Sequence, residues 1–408
     1  YENANVEKTK NLIEKYQSSL YFNSLNSRVL NRGFSQTRDL LTNNNQPRKF
    51  VIVAHRDFES SLQDFINWKT AKGFDVIAAY TDEIGSSNSE IKLFLQNLYD
   101  NATADNPAPL YLLIVGDHAG NYAIPSFAGK ASVPSSNHVT DLYFACFDGE
   151  DDYLPDMYYG RISANSIVEL ENTLNKIVPY EKASFTAIDY FDNAIFVAGN
   201  DDNFAASHGD PSIFYASENY YNINNDFQEV FAYYFSLQDA PNHYMFTDDN
   251  AEAASSSIKE KFSQGAGFVY YTGHCSSQGW AEPVFDNDDI DGLSNLNKYP
   301  FMINNCCLSL SFNLNDAFGE KMMYAENSGA VSYIGATNST YWNEDLYWSV
   351  GLTSFAHTEA NAKNHNLGNT GNGAFDGLWH NNNQSFDDWF ISAGQIVHNG
   401  NLEVLSST

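Results

Sequence analysis

Two short apolar runs, each followed at once by a reactive side chain, constrain this chain more than any other feature. Residues 268–271 read Phe-Val-Tyr-Tyr and lead through a threonine and a glycine to His274. Residues 301–303 read Phe-Met-Ile and lead through two asparagines to Cys306 and Cys307. Runs so short and so rich in aromatic and β-branched residues predict buried strands rather than helices. Functional groups collect beyond the carboxyl ends of parallel strands, so neighbouring strands would hold imidazole and thiol over one crevice.

A thiol beside an imidazole predicts nucleophilic catalysis. A thiolate attacks a carbonyl and a thiol barely does, so the imidazole takes the proton from sulfur and later returns it to the leaving group. Taken alone, the pair is a weak signal, because a cysteine after a buried strand is more often an inert small hydrophobic residue and a single histidine is more often structural. The enzyme hypothesis therefore depends on the surrounding sequence.

Strand and helix patterns alternate along most of the chain. From Lys49 onward, short apolar strands alternate with amphipathic helices, and the same order begins again at Asn193. Such an alternation predicts an α/β protein with mostly parallel sheets flanked by helices. We divide the chain into an N-terminal arm or pro-segment remnant, a first α/β subdomain and a second, catalytic subdomain, at residues 1–47, 48–183 and 184–408.

The charge of the chain limits its partners. Its 408 residues include 21 Lys and Arg against 51 Asp and Glu, a formal charge of −30. Such a field repels nucleic acid and anionic membranes, so neither is expected as a partner, and it favours cationic substrates or bound metal ions. No apolar stretch approaches the roughly 20 residues needed to span a bilayer, which argues against membrane insertion. The four cysteines, two of them adjacent, do not form a disulfide framework, and the compartment cannot be read from them.

Two turns concentrate carboxylates. The first, punctuated by glycine and proline, contains Asp148, Asp151 and Asp156, and the second contains Asp286 and Asp288. Hard oxygen donors at this density suit calcium, although the spacing is not that of an EF-hand. A solvated acidic turn is the alternative at both places. We predict structural calcium and no cofactor for catalysis.

Several short motifs carry a resemblance to a known family. They are Tyr271-Thr272-Gly273-His274, Trp280, Asn305-Cys306-Cys307, Phe318-Gly319-Glu320, Tyr333-Ile334-Gly335-Ala336 and the aromatic segment Tyr341–Trp348. Together they resemble the gingipains, secreted cysteine endopeptidases with a caspase-like fold, and they are closest to the arginine-specific branch. The resemblance extends from near residue 49 to about residue 400, and it implies a caspase-like fold of two α/β subdomains.

The resemblance implies the identity of the catalytic residues. The second cysteine of the pair, Cys307, corresponds to the nucleophile, and His274 corresponds to the base. Asp201 follows the strand that begins at Asn193 and takes the place of a third carboxylate, which would hold the imidazole tautomer and stabilise the imidazolium. Asp202 is the alternative for that role.

The resemblance also implies an oxyanion site made of backbone N–H groups. These belong to Gly273, Cys275 and Cys307. The family has glycine where this chain has Cys275. A side chain at that position could narrow the site or offer a second thiol.

A preference for arginine or lysine at P1 follows from the resemblance and from the negative charge. The family places an acidic pocket residue in a region where Asp210 is the nearest candidate. Trp280, Trp342 and Trp348 are candidate pocket residues, because a guanidinium stacks on aromatic faces as well as pairing with carboxylates. His118, within another family signature, is interpreted as structural or metal-supporting.

These observations predict a secreted or cell-surface cysteine endopeptidase, made as a zymogen, that hydrolyses protein or peptide substrates. The alternatives are a sorting transpeptidase of the same fold and a catalytically silent relative acting in surface binding or assembly. The glycine-to-cysteine difference at Cys275 is the observation that favours the silent relative. The resemblance also implies secretion of the Bacteroidete type and a further C-terminal fragment of the same precursor as a partner.

Overall fold

The computed structural model describes most of the chain beyond residue 46. The described residues are 47–103, 105–130, 138–149, 151–223, 229–235, 244–314, 316–351, 373–378, 390 and 392–407. The chain divides into two compact units, residues 1–171 with 385–395 and residues 172–384 with 396–408. The boundary placed after residue 183 stays a prediction. The predicted N-terminal arm lies, up to residue 46, outside the described residues.

The first unit contains a four-stranded parallel sheet and a two-stranded antiparallel ribbon. The strands are β1 (Lys49–Ala54), β2 (Asp75–Tyr80), β3 (Pro109–Val115), β4 (Phe127–Ala128), β5 (Val139–Thr140) and β6 (Tyr158–Ile162). The parallel sheet has the order β2-β1-β3-β6, and β4 pairs with β5. Its helices are Glu59–Ala71, Thr81–Ile84 and Asn88–Asp100. The last of these begins with a capping box formed by Ser87 and Glu90, as their spacing predicts.

The second unit contains a six-stranded parallel sheet and a small antiparallel one. The strands are β7 (Asn193–Ala198), β8 (Glu229–Tyr234), β9 (Tyr244–Met245), β10 (Phe268–Gly273), β11 (Cys275–Ser276), β12 (Gly279–Trp280), β13 (Phe285–Asp286), β14 (Phe301–Cys306) and β15 (Ser332–Gly335). The parallel sheet has the order β15-β14-β10-β7-β8-β9, and the antiparallel sheet has the order β11-β12-β13.

Helices of the second unit follow the strands in sequence. They are Asp210–Ile223, Ala251–Gln264, Asn287–Ile290, Phe318–Tyr324, Trp342–Val350 and Ala374–Leu378. The helices Ile167–Glu181 and Ala393–Ser407 each include a point of division between the units. The predicted α/β architecture, with mostly parallel sheets flanked by helices, is confirmed.

The residues of β10 are buried along its whole length, as expected for its position near the middle of the sheet. All six of its residues are buried, as expected for a parallel strand covered on both faces. Val269 and Tyr271 join a core that includes Ile258 and Phe262 of the helix Ala251–Gln264. Among the described residues, no helix has both the length and the apolarity required to cross a membrane.

A buried lysine holds the end of the helix Phe318–Tyr324. Lys176 is 3% exposed, and its Nζ donates to the carbonyl oxygens of Met322, Ala325 and Ser328 at 3.0, 3.1 and 3.0 Å. A cation at the carboxyl end of a helix pairs with the negative end of its dipole and satisfies carbonyl groups that the helix leaves open.

Replacing Lys176 with methionine is expected to lower the free energy of unfolding by about 2–4 kcal/mol, because three buried carbonyl acceptors lose their donor. The urea midpoint of unfolding measures the loss. Lys182→Met, at an exposed position just after Ile167–Glu181, the helix that contains Lys176, is the matched control and should change stability by less than about 0.5 kcal/mol. Equal midpoints for the two variants would contradict the assignment.

Candidate active site

Three neighbouring strands bring the predicted catalytic residues to one edge of the second sheet. β10 lies between β7 and β14, with Thr272 opposite Ala198 and Gly273 opposite Cys306. His274 and Cys307 are each one residue beyond a paired strand end. The two apolar runs are therefore adjacent parallel strands, as predicted, and their reactive side chains follow the same edge.

The imidazole of His274 is held by a carboxylate. Its Nε2 lies 2.6 Å from Oδ2 of Asp201, whose other oxygen accepts N–H groups from Asn203 and Phe204 at 2.8 and 3.0 Å. Burial raises the pKa of Asp201, but the hydrogen bonds from His274 and from the two N–H groups outweigh it, so the pKa is lowered overall. An ionised Asp201 fixes the proton on Nε2, and Nδ1 remains for proton exchange with a substrate.

Two glycines allow the strand ends to approach. The N–H of Gly199 donates to the carbonyl of Thr272 at 2.7 Å. A Cβ atom on Gly273 would lie 2.8 Å from the Cα of Gly199, closer than real Cβ contacts. The absence of both side chains therefore lets the segment carrying Asp201 lie against the segment carrying His274.

Cys307 is a half-buried free thiol held against Thr340. Its Sγ accepts the N–H of Thr340 at 3.3 Å and lies 3.6 Å from the carbonyl oxygen of the same residue. Leu308 follows with φ of 58°, in the left-handed region, and its N–H donates to Asn338 at 3.0 Å. Such a backbone is uncommon for a residue with a side chain, and it turns the chain sharply directly after the thiol.

Cys275 is not a second thiol. It forms a disulfide with Cys306, with 5.5 Å between the two Cα atoms. The prediction of a possible free thiol at this position is therefore wrong. Among the described cysteines, Cys146 and Cys307 are free, and Cys146 is buried.

A buried carboxylate behind Thr340 was missed by sequence reasoning. Oδ2 of Asp345 accepts the hydroxyl of Thr340 at 2.8 Å, and its main-chain oxygen accepts the side-chain amide of Asn305 at 2.6 Å. Burial raises the pKa of Asp345 to about 7, against a smaller lowering by the Thr340 hydrogen bond. The residue stands within the aromatic segment that carries the family resemblance, and this was the available signal.

Trp342 lies beside the imidazole. Its ring centroid is 5.6 Å from that of His274 in an edge-to-face arrangement, and Phe204 stacks on it at 5.9 Å. His208 lies against the same indole, and its Nε2 is 2.8 Å from Oδ1 of Asn343. Trp342 therefore forms an aromatic wall beside His274, and its substrate-binding role stays a prediction.

The other three predicted substrate-binding residues have structural surroundings. Asp210 is buried and accepts the N–H of Phe235 at 3.1 Å. Trp280 is 2% exposed and stacks on Tyr271 at 4.2 Å. Trp348 donates its indole N–H to Asn401 at 3.0 Å, on the helix Ala393–Ser407. Packing or hydrogen bonding accounts for each of these residues, and their substrate-binding roles stay predictions.

The first acidic turn brings three carboxylates together in the first unit. Asp148, Asp152 and Asp156 each offer one oxygen, and the three oxygens lie within 4.8 Å of one another. Asp152 thus takes the place predicted for Asp151, which is exposed and outside the group. Asp156 is fully buried and accepts the N–H of Phe147 at 2.8 Å.

The carboxylates of the second acidic turn have partners within the protein. Oδ1 of Asp286 accepts the N–H of Asp288 at 3.0 Å, and Asp286 caps the helix Asn287–Ile290. Asp289 pairs with Lys259 at 2.8 Å. A capping box and an ion pair account for these contacts, and the predicted ligand roles of Asp286 and Asp288 stay predictions.

Calcium at the first turn stays a prediction, and it can be tested by melting temperature. Millimolar calcium should raise the melting temperature by a few degrees over chelator, because the ion binds the folded state and relieves repulsion among three carboxylates. Asp152→Asn should abolish the rise, and Asp151→Asn, the matched control, should retain it. A melting temperature equal in calcium and in chelator would count against a calcium site here.

His118, predicted to be structural or metal-supporting, is hydrogen-bonded within the first unit. Its Nδ1 accepts the N–H of Ser126 at 3.1 Å, and burial, with a further contribution from Arg161, lowers its pKa. Arg161 makes a two-pronged pair with Asp141, both of its contacts at 2.8 Å, and both side chains are 6% exposed. The polar groups after the first sheet are thus hydrogen-bonded to one another.

Comparison with known proteins decides the family. The profile of Peptidase family C25 matches residues 43–407. This chain belongs to Peptidase family C25. Lys-gingipain HG66 of Porphyromonas gingivalis is 34% identical over 340 residues, which cover 82% of this chain and 18% of that protein. Gingipain R1 of the same species is 22% identical over 338 residues, which cover 78% of this chain and 31% of that protein.

These comparisons support the gingipain resemblance and correct one detail of it. This C25 chain is more similar to Lys-gingipain than to Gingipain R1, so the prediction of the arginine-specific branch is wrong. It spans about a fifth of the length of the Lys-gingipains it matches.

Solved structures agree with the fold of this C25 chain. A protease structure is 31% identical with a TM-score of 0.76 and covers 89% of this chain and 73% of its own. The Arg-specific gingipain R shares the fold at 19% identity and a TM-score of 0.65, covering 88% of this chain and 73% of its own. The predicted caspase-like fold is confirmed.

Proposed function

We propose that this chain is a cysteine endopeptidase that cleaves peptide bonds after lysine. The observation that carries the proposal is the placement of Cys307 and of the His274–Asp201 pair beyond adjacent strands of one parallel sheet. Membership of Peptidase family C25 supports the reaction class.

The proposed mechanism uses these three side chains in turn. His274 Nδ1 takes the proton of Cys307, and the thiolate attacks the carbonyl carbon of the substrate to form a tetrahedral intermediate. The imidazolium then gives the proton to the leaving amine, and water releases the acyl group in a second cycle. Asp201, through its 2.6 Å contact with Nε2, stabilises the imidazolium in both cycles.

Backbone N–H groups are proposed to bind the oxyanion. The candidate donors are the N–H groups of Gly273 and Cys275, on either side of His274, and the N–H group of Cys307 itself. Fixed backbone donors need no reorganisation as charge develops on the substrate oxygen, which is why such groups lower the barrier efficiently.

Asp345 is the proposed P1 recognition group, replacing Asp210. Thr340 connects the two ends of the site, because its N–H contacts the sulfur of Cys307 and its hydroxyl contacts the Asp345 carboxylate. A substrate with its carbonyl at Cys307 can therefore direct its P1 side chain along Thr340 toward that carboxylate, with Trp342 as a wall. The formal charge of −30 also favours a cationic side chain.

The geometry at Asp345 favours lysine over arginine. Thr340 occupies one of the two carboxylate oxygens, which leaves a single oxygen for the substrate. A compact ammonium needs one such acceptor, whereas a guanidinium pairs best with two parallel oxygens. The greater similarity to Lys-gingipain than to Gingipain R1 points the same way.

A peptide-library cleavage profile tests the proposal. We expect cleavage after lysine, at least about tenfold above arginine and about a hundredfold above neutral residues, because a buried carboxylate discriminates by charge. Mass spectrometry of the products should show hydrolysis, and ligated products would instead favour a sorting transpeptidase. Cleavage after neutral residues would refute the P1 proposal, and no cleavage of any peptide would refute the enzyme proposal.

We also propose that the protein acts on proteins or peptides outside the cell or at its surface. The disulfide between Cys275 and Cys306 supports an oxidising compartment. A further C-terminal fragment as partner stays a prediction.

A further inference from the structure

The disulfide joins the two residues that adjoin the proposed catalytic pair. Cys275 directly follows His274, Cys306 directly precedes Cys307, and 31 positions separate the two cysteines in sequence. Cys306 is fully buried in the core of the second unit, and Cys275 is half-buried against the same core. The bond therefore anchors one end of each catalytic segment in packed structure.

The paired ladder between the two proposed catalytic segments ends where the disulfide begins. The ladder of β10 and β14 ends at the pair Gly273 and Cys306. Beyond it, the His274 carbonyl accepts the hydroxyl of Tyr271 at 2.9 Å and the N–H of Ala281 at 2.9 Å. None of these contacts reaches the other segment.

The segment that carries Cys307 is also held by residues outside the His274 segment. Cys307 contacts Thr340, and the N–H of Leu308 donates to Asn338. Outside the strand ladder, no hydrogen bond among the described residues joins residues 274–276 to residues 306–308. Past the strand ends, the disulfide is therefore the direct connection between the imidazole segment and the thiol segment.

We propose that the Cys275–Cys306 disulfide is a positioning element, which sets the separation of His274 and Cys307 and fixes the backbone N–H groups that bind the oxyanion. The proposal rests on the peptidase function proposed above. Its effect lies on the chemical step, because the imidazole and the oxyanion donors act mainly in the transition state. The P1 contact through Thr340 and Asp345 does not depend on the bond.

The test replaces both cysteines with alanine, so that no new thiol remains beside the nucleophile. Cys275→Ala with Cys306→Ala should lower kcat for a lysine peptide by about tenfold to a hundredfold and change KM by less than about threefold, since positioning acts on the transition state. Cys146→Ala, which removes a buried free thiol in the first unit, is the matched control and should leave both constants unchanged. Equal kcat for the double variant and the wild type would overturn the proposal.

Alkylation of Cys307 gives a readout that does not require peptidase activity. Iodoacetamide reacts with the thiolate, and a correctly placed imidazole helps to form that thiolate by taking the proton from sulfur. At pH 6 the double variant should react about tenfold more slowly than the wild type, and at pH 9, where hydroxide replaces the imidazole as the base, the rates should agree. A merely stabilising disulfide would leave the ratio of the two rates unchanged, and that result would overturn the proposal.

Reduction of the wild type provides a second route if the double variant folds poorly. Dithiothreitol should attack the sulfur of half-buried Cys275 rather than that of fully buried Cys306. Two protein thiols form, and dithiothreitol becomes its cyclic disulfide. Peptidase activity should fall in step with the two new thiols and return on reoxidation. Full activity in the reduced protein would refute the positioning role.

The outcomes separate the two proposals. A wild type that cleaves no peptide, but whose Cys307 alkylation at pH 6 depends on the disulfide, refutes the peptidase and supports the positioning role. A wild type that cleaves lysine peptides with equal kcat in the double variant supports the peptidase and refutes the positioning role. Iodoacetamide labelling of Cys275 and Cys306 in the native, unreduced protein would refute the disulfide itself.

Discussion

Replacing Cys307 with alanine is expected to lower kcat/KM for a lysine peptide by about 10⁴-fold or more, because the reaction loses its nucleophile. His274→Ala should lower it by a similar factor. The double replacement should be no worse than either single one, since the two side chains act as a unit. Steady-state hydrolysis of one fluorogenic lysine peptide measures all three.

Stability measurements separate this chemical loss from misfolding. The Cys307 side chain is half-buried and its contacts are limited to Thr340 among the described hydrogen bonds, so the free energy of unfolding should change by less than about 1 kcal/mol. Cys146→Ala should keep full activity. Substantial hydrolysis by Cys307→Ala, or inactivation by an alkylating agent that labels a different cysteine, would show that the nucleophile is elsewhere.

Replacing Asp345 with asparagine is expected to lower kcat/KM for a lysine peptide at pH 8 by about a hundredfold, because a buried ion pair with the substrate ammonium is lost. Hydrolysis of a peptide with a neutral P1 residue should change little, so preference for lysine should largely disappear. Asparagine keeps the size of the side chain and can still accept the Thr340 hydroxyl. Glu344→Gln, one residue earlier and outside the buried contact, is the matched control. A lysine preference retained by Asp345→Asn would move the P1 group elsewhere.

The same replacement has a second expected effect, on the pH dependence of stability. An unfolded aspartate titrates near pH 4, and burial raises the pKa of Asp345 in the folded protein to about 7. As pH rises from 4 to 7, the unfolded chain has released this proton and the folded chain still holds it, so stability falls by up to about 4 kcal/mol. Asp345→Asn removes that loss.

Melting temperatures at pH 5 and pH 8 check the sign. Relative to the wild type, Asp345→Asn should be the more stable protein at pH 8 and should have no such advantage at pH 5. Taking the difference between variant and wild type cancels the titration of all other groups. A constant difference across this range would mean that Asp345 is already ionised at low pH.

Local sequence was sufficient to predict the two central strands and to locate the reactive residues that follow them. The lengths of the apolar runs predicted β10 and β14, and the strand ends located His274 and Cys307. A capping box was equally readable at Asp286 and Asp289, where the density of carboxylates suggested calcium instead. In that turn the spacing of two residues was a better guide than composition.

Contacts between residues that are far apart in the chain could not be predicted from the sequence. Pairing of Cys275 with Cys306 depends on the register that sets Gly273 opposite Cys306. Burial of Asp345 depends on how Thr340 packs, and a carboxylate between aromatic residues reads equally well as exposed. Trp280 belongs to a family motif, yet its indole fills the core. A motif identifies residues that matter without distinguishing chemistry from packing.

The position of β10 within its sheet has a consequence for heat inactivation. Its six residues are all buried, and it is hydrogen-bonded on both sides, to β7 and to β14. Amide hydrogens in such a strand exchange with solvent only when the whole cooperative unit opens, whereas edge strands and loops open locally at lower free energy. The proposed catalytic residues follow these three strands, so their geometry should persist until the sheet itself is lost. On slow heating, hydrolysis should continue up to the melting transition and end with it.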